Sequence, residues 1–497
     1  MLSNSISTKN DVHYLNELID SNNIEQLNNF ISSHSTDYFF NIKLDENKDL
    51  TLFHKIIFNN NNIMFYSTLQ IFLSRQKQNK ENSNKLISLL SLRDIDGNLP
   101  IHFAAYKGNI DIIMELIKLG IDYKVKNYSG LNVMHMASQG DCPNVLIFFK
   151  DKYKMNINEK DENGNSPLHW ACYMSSECAI TYILSWINED EVNVQNDNGK
   201  SPLHIALFSD RINIIKKLIN KGIDLNIKDN EGKTVFDIAK ENPNLNNIFK
   251  LLKEYKNNKC FFNCNNNNNN KENNNKNPKN LFKSRLFTIL SFSIEILTFL
   301  ILLPYLQSKL ITSFFIFSVV SLLISHIYMC LSDPGILKSN FDLSWLDIVI
   351  NKIDISNICP YCKVTKNKYS KHCHICNHCV EDFDHHCNWI NNCIGEKNSN
   401  EFICFLIILI INLIFNYLIA LDVFLIKEDF ILNWEPIFII NFLYSKITKD
   451  IISITTMSVC LFFVVPVCFV FYNQIKSREI RKKRNVNENI IINEKID

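Results

Sequence analysis

The sequence predicts an all-α chain in two parts: a solenoid of helical repeats, then a four-helix transmembrane bundle carrying a cytosolic Cys-rich loop domain. Three observations predict it. Short near-copies recur about every 33 residues through the first half. Four apolar runs in the second half are long enough to span a bilayer of roughly 30 Å, which takes about 20 residues. Seven of the 16 cysteines fall between Cys359 and Cys393, in the loop after the second run.

At 497 residues the chain is too long for one ordinary domain. Its 52 basic and 51 acidic residues leave a formal net charge of +1, which argues against a nucleic-acid binder working through a strong positive field. The 46% apolar content averages a polar first half and an apolar second half. Met1 to Ser35 shows no apolar core of signal-peptide length. Clustered Cys and His without a secretory signal point to metal binding and thiol chemistry on the cytosolic side, rather than a disulfide framework.

Residues 1–44 read as a polar N-terminal segment. The array follows over 45–256, where DIDGNLPIHFAA, DENGNSPLHWAC and DNGKSPLHIAL recur, with NYSGLNVMHMA and DNEGKTVFDIA as looser copies. The turn glycines Gly97, Gly130, Gly164, Gly199 and Gly232 are 33, 34, 35 and 33 residues apart, and His102, His135, His169 and His204 keep the same beat. This period with a T-P-L-H-x-A-like core is the ankyrin signature. Each helix pair must stack on its neighbours to bury its apolar face. The glycines supply a positive φ in the turn, and the prolines pre-set the first helical turn. One His per repeat at a fixed place is expected to bond neighbouring turns rather than hold a metal. Thr51 to His54 opens a degenerate first repeat with an insertion before Asp94, and the last unit has Asp237 where the others have His, as a cap would.

Residues 257–283 form an Asn-rich, flexible tether; its Cys260 and Cys264 are either plain linker cysteines or juxtamembrane acylation sites. Residues 284–332 hold transmembrane helices 1 and 2 (Leu286–Leu306, Leu310–Leu331), and 402–472 hold helices 3 and 4 (Phe402–Ile426, Ile451–Tyr472). Glu295, Asn412, Asn416 and Pro466 within them must face protein or water. The apolar segment Pro436–Leu443 is too short to span and is expected at the interface. Lys and Arg concentrate before the first span, in the loop at 333–401 and in the basic tail 473–497, so both termini and that loop are expected to be cytosolic.

The loop carries the chemistry. Cys359 and Cys362 are followed by His372-Cys373, Cys376 and Cys379, then Asp384-His385-His386-Cys387, Cys393, Asn398 and Phe402. Setting Cys387 and His385 aside leaves six cysteines and two histidines in the core motif, enough for two closed four-ligand zinc sites of structural type; His374 and His378 leave room for a local swap. Closed sites rigidify a short polar loop, since metal binding supplies roughly 10 kcal/mol of folding free energy in small zinc modules.

This string closely resembles the DHHC family of zinc-containing palmitoyltransferases, and Asp333-Pro334-Gly335 matches a second motif of that family. With the array in front, the chain is similar to the ankyrin-bearing subgroup. The resemblance implies interleaved zinc sites, Cys359, Cys362, His372 and Cys379 for one, and Cys373, Cys376, His386 and Cys393 for the other. It implies Cys387 as nucleophile, His385 as its base and Asp384 as the orienting acid. A free thiol with a pKa of roughly 8.5 needs such help to become a thiolate near neutrality. It also implies acyl-CoA (palmitoyl-CoA) as co-substrate, an acyl-Cys387 intermediate, and transfer to substrate-protein cysteines recruited by the ankyrin groove. Trp389 either touches the start of the acyl chain or packs the zinc loop. Golgi is the family expectation for location. One departure stands out: the segment after the fourth span, Asn473 to Glu479, lacks the family's Thr-Thr-x-Glu motif, and Thr455-Thr456 lies inside the span.

The main rival is a catalytically silent membrane scaffold, which needs the zinc ligands but not Asp384, His385 and Cys387. An ankyrin-bearing channel needs a polar pore segment that Lys427–Asp450 does not offer, and a RING-type ligase leaves the Asp-His-His-Cys string unexplained.

Overall fold

A computed structural model of the chain describes residues 2–45, 47–78, 84–209, 211–262, 309–338, 343–425 and 436–493. The expected first span, Leu286–Leu306 with Glu295, lies outside them, as do Cys264, most of the 257–283 tether and Lys427–Glu435. The chain divides into two compact units, residues 1–269 with 341–360 and residues 270–340 with 361–497.

The first unit is an ankyrin array. Helix pairs such as Pro100–Tyr106 with Ile110–Lys118, and Pro167–Met174 with Glu177–Trp186, stack into one apolar core. The five turn glycines have φ between +71° and +80°. His102, His135 and His169 bond to the neighbouring turn as their beat implies, while His204 bonds within its own unit, to Ser201. His169 Nδ1 accepts from the Ser166 N–H that opens its helix, while Nε2 donates to the Lys200 carbonyl of the next repeat. His54 and His135 reach the Asn98 and Asn165 carbonyls in the same way. Burial of these rings favours the neutral form, holding His54, His102 and His169 at a pKa of about 4. Asp237, in the last unit, caps its own helix by accepting from Thr234 N–H and Oγ1.

Two parts of the array differ from expectation. Residues 1–44 contain the helices Leu2–Asp20, Ile24–Ser33 and Thr36–Asn41. Leu15, Leu18, Ile19, Leu27, Ile31 and Phe39 from this segment enter the array core. Their i, i+3, i+4 spacing makes an apolar stripe inside a polar composition. Residues 343–358, expected with the Cys-rich loop, pack within this unit. The short helix Trp345–Ile350 packs on Pro143–Tyr153, burying Ile348 and Val349. Tyr182 Oη donates to the Ile355 and Ile358 carbonyls at 2.9 and 3.3 Å.

In the second unit, three helices among the described residues are long and apolar enough to cross a membrane: Lys309–Leu331, Ser399–Leu425 and Pro436–Asn493, the last with its apolar stretch at Ser453–Ile480. Large apolar side chains such as Phe317, Leu331 and Phe462 stand more than two-thirds exposed on them. Such bare apolar surface suits lipid rather than water. Asn412 and Asn416 face protein, with Asn412 Nδ2 on Ser318 Oγ and Asn416 Nδ2 on Asn412 Oδ1. Pro436–Leu443 is the first part of the helix that ends at Asn493. A largely apolar segment of eight residues can join a helix that continues through polar residues, and hydropathy alone does not show the join.

Candidate active site and metal centres

Two antiparallel hairpins of three-residue strands build the site. The first pairs β1 (Lys371–Cys373) with β2 (His378–Val380), and the second pairs β3 (His385–Cys387) with β4 (Asn392–Ile394). Asn377 and Asn391 close the two turns at φ +57° and +47°, a left-handed conformation Asn tolerates better than most residues. His372 stands opposite Cys379, and His386 opposite Cys393.

Strand pleating sends successive side chains to opposite faces. In β1, His372 therefore joins Cys359, Cys362 and Cys379, while its neighbour Cys373 joins Cys376, His386 and Cys393. Within each set of four, the candidate ligand atoms lie within 4.8 Å of one another. In the second set, His386 Nδ1 is 3.8, 3.3 and 3.7 Å from the sulfurs of Cys373, Cys376 and Cys393, and the Cys376 and Cys393 sulfurs are 3.5 Å apart. In the first, His372 Nδ1 is 3.1 Å from Cys362 Sγ and 3.9 Å from Cys379 Sγ. A tetrahedral zinc with its usual Zn–S and Zn–N distances sets ligand atoms about 3.5–3.8 Å apart. Both donor sets fit that ion.

In β3 the same alternation separates His386 from its neighbours. His385 and Cys387 share the other face. Asp384 Oδ2 lies 3.8 Å from His385 Nδ1. Burial opposes a charge on His385, but its interactions with Asp384 and Cys387 outweigh burial, and its pKa is pushed up to about 9. The Phe402 ring lies against the His385 ring, with centroids 5.7 Å apart. Cys387 itself is half-buried at the edge of an apolar cluster with Ile390, Ile394, Phe402 and Phe405. Trp389 joins that cluster and meets Phe463 edge-on at 5.9 Å.

The remaining motif residues tie the hairpins to the helices. Asp333 Oδ1 accepts from the N–H groups of Gly335 and Ile336, and its Oδ2 pairs with Lys397 at 2.9 Å. These bonds hold its pKa down at about 2. Gly335 takes φ +95°, and its carbonyl accepts from Glu381 N–H. Pro334 packs so close to Gly395 that a Cβ there would strike the Pro334 carbonyl and Val380 Cγ1. Asn398, 1% exposed, donates to the Cys393 carbonyl and Ser332 Oγ, and accepts from Gly395 N–H.

Four contributors escaped sequence reasoning. Asn392 Nδ2 donates to the Met329 and Ser332 carbonyls at the end of the helix Lys309–Leu331. Ser332 receives Asn398. Buried His326 donates from Nε2 to the Trp389 carbonyl; a lone His in an apolar run was its signal. Gln474 Nε2 donates to Asp384 Oδ2 at 2.8 Å.

The family "DHHC palmitoyltransferase" matches residues 352–491. Ankyrin repeats in sets of three match 15–161, 101–190, 133–229 and 176–266. Palmitoyltransferase AKR1 of Lachancea kluyveri is 25% identical over 169 residues, covering 32% of this chain and 23% of that protein. The target of rapamycin complex 2 subunit AVO2 of Saccharomyces cerevisiae is 30% identical over 179 residues, 34% of this chain and 40% of that one. Alpha-latrotoxin-Lhe1a of Latrodectus hesperus is 29% identical over 132 residues, 26% of this chain and 8% of the toxin. The chain thus covers less than half the length of each of these relatives. With the array, the apolar helices and the interleaved Cys/His sets in place, the chain carries a domain of the DHHC palmitoyltransferase family behind an ankyrin-repeat array.

Proposed function

We propose that the chain is a protein S-acyltransferase that moves a long-chain fatty acyl group, palmitoyl by family, from acyl-CoA through Cys387 to cysteines of other proteins. The observation that carries this reading is the pleat of β3, which sets Cys387 and His385 on one face with the Asp384 carboxylate behind the imidazole. His385 takes the thiol proton as Cys387 Sγ attacks the acyl-CoA carbonyl; the C–S bond to CoA breaks, and the proton goes to the departing CoA thiolate. The substrate cysteine then attacks the acyl-Cys387 thioester, gives its proton to His385, and leaves Cys387 to recover it. Asp384 orients the ring and balances its charge. The apolar cluster beside Cys387, with Trp389 at its edge, offers the first carbons of the acyl chain an apolar wall.

Two zinc ions, held by Cys359, Cys362, His372 and Cys379 and by Cys373, Cys376, His386 and Cys393, would supply the folding free energy that fixes both hairpins. The array recruits protein substrates; Tyr128, Tyr173 and Phe208, each more than half exposed, give it apolar contact points. The bundle sits in an endomembrane, Golgi by family, with the loop and both termini cytosolic. Incubation with a labelled fatty acyl-CoA tests the reading. Native chain takes up hydroxylamine-sensitive label; Cys387→Ser takes none yet keeps its zinc, whereas Cys393→Ser loses zinc. Undiminished labelling of Cys387→Ser overturns it, and a silent scaffold predicts no label on the native chain.

A further inference from the structure

We propose that Gln474 is a positioning residue that holds the Asp384 carboxylate for His385, a role that rests on the acyl-transfer reading above. Val467, Phe471 and Gln474 follow one another at i, i+4 and i+7 on the helix Pro436–Asn493, so they share a face. Val467 and Phe471 pack into the apolar cluster that also holds Ile390 and Phe402. Gln474, at the end of this stripe, is 4% exposed, while its neighbours Tyr472 and Ile475 are exposed. A primary amide at a buried position is unfavourable unless its N–H groups find acceptors. Here the acceptor is Asp384 Oδ2 at 2.8 Å, the same oxygen that lies 3.8 Å from His385 Nδ1.

Asp384 is thus held from two sides. Its backbone N–H donates to the Ile394 carbonyl, which fixes the residue to the β3–β4 hairpin, and the helix fixes its side chain. The donor matters as much as the distance. A Lys or Arg at this place would neutralise the carboxylate, whereas a neutral amide orients it and leaves its charge to the imidazole. Residues 473–479 lack the paired threonines of the family pattern, and in this chain the buried position of that segment presents an amide.

The test uses the full-length chain in detergent, labelled palmitoyl-CoA and single-turnover acylation, with Gln474→Met, Asp384→Asn and the double variant. Gln474→Met keeps length and bulk but removes the donor. The acylation rate constant is expected to fall about ten- to hundredfold, as loss of one hydrogen bond to a charged group implies. The acyl-CoA concentration for half-maximal rate and the zinc content stay native. In the Gln474→Met background, Asp384→Asn costs much less than it does alone. Native-rate labelling of Gln474→Met, additive losses in the double variant, or a loss that tracks zinc release each overturns the proposal. If Gln474→Met does not purify folded, Gln474→Glu sets an acceptor against an acceptor in the same shape, and a native rate there overturns it equally. A native chain without Cys387-dependent label overturns the acyl-transfer reading itself, and the positioning role with it. A labelled native chain beside an equally labelled Gln474→Met overturns the positioning role alone.

Discussion

His385 and His386 are chemically identical, and only the pleat of a three-residue strand distinguishes them. The proposed roles therefore predict opposite failures. His386→Ala removes a ligand from the second Cys/His set, so bound zinc, measured by mass spectrometry of the purified chain, is expected to fall from two to one per molecule. His385→Ala leaves zinc at two and lowers the rate of Cys387 acylation by about a hundredfold or more, the usual scale for loss of a general base. Zinc loss in His385→Ala would show that the two faces are assigned the wrong way round. Asn398 gives a test of stability at the same scale. Asn398→Ala strands the Gly395 N–H and the Cys393 carbonyl in a buried site, at a cost of roughly 1–3 kcal/mol. A lower melting temperature without a change in zinc stoichiometry is the expected result.

At the scale of elements, the array histidines couple stability to pH. His54, His102 and His169 have folded pKa values of about 4 because burial disfavours the charged ring, against roughly 6.5 in an unfolded chain. The folded pKa is the lower one, so the unfolded state binds more protons between these values. Their contribution is complete above pH 6.5 and is lost as pH falls toward 4, by about 3 kcal/mol for each ring. Hydrogen-exchange protection of the repeat helices, corrected for intrinsic pH dependence, is expected to drop steeply between pH 6.5 and 4; a flat profile would show that the rings are not buried neutral. The strap at 343–358 offers a second test. Tyr182→Phe removes the donor to two carbonyls and is expected to cost roughly 1 kcal/mol, read as faster exchange over the helix Trp345–Ile350.

At the scale of the whole chain, legibility followed sequence distance. The repeat beat, the Cys/His spacing and the Asp-His-His-Cys string are local patterns, and the structure builds on them. The strap at 343–358 was not legible, because its partner helix Pro143–Tyr153 is some 200 residues away. Neither was Gln474, whose meaning depends on Asp384, 90 residues earlier. The helical content of 1–44 was hidden because those residues lack the turn glycine and T-P-L-H core that announce the later repeats.

Topology is a property of the second unit as a whole. The helix Lys309–Leu331 delivers its C-terminal end to the Cys-rich hairpins, through Asn392 on the Met329 and Ser332 carbonyls. The helix Ser399–Leu425 leaves from the same hairpins, through Asn398. The helix Pro436–Asn493 returns to them at Gln474. On the proposed membrane reading, the N-terminal end of this last helix and the C-terminal end of Ser399–Leu425 lie on the opposite side of the bilayer. In the proposed topology the hairpin side is cytosolic, in keeping with the Lys and Arg of the loop and tail. A glycosylation sequon inserted directly before Pro436 is therefore expected to be modified when the chain is made on microsomes, while one placed after Asn493 is not. Modification of the second site and not the first would invert the topology and set Cys387 on the lumenal side, away from cytosolic acyl-CoA.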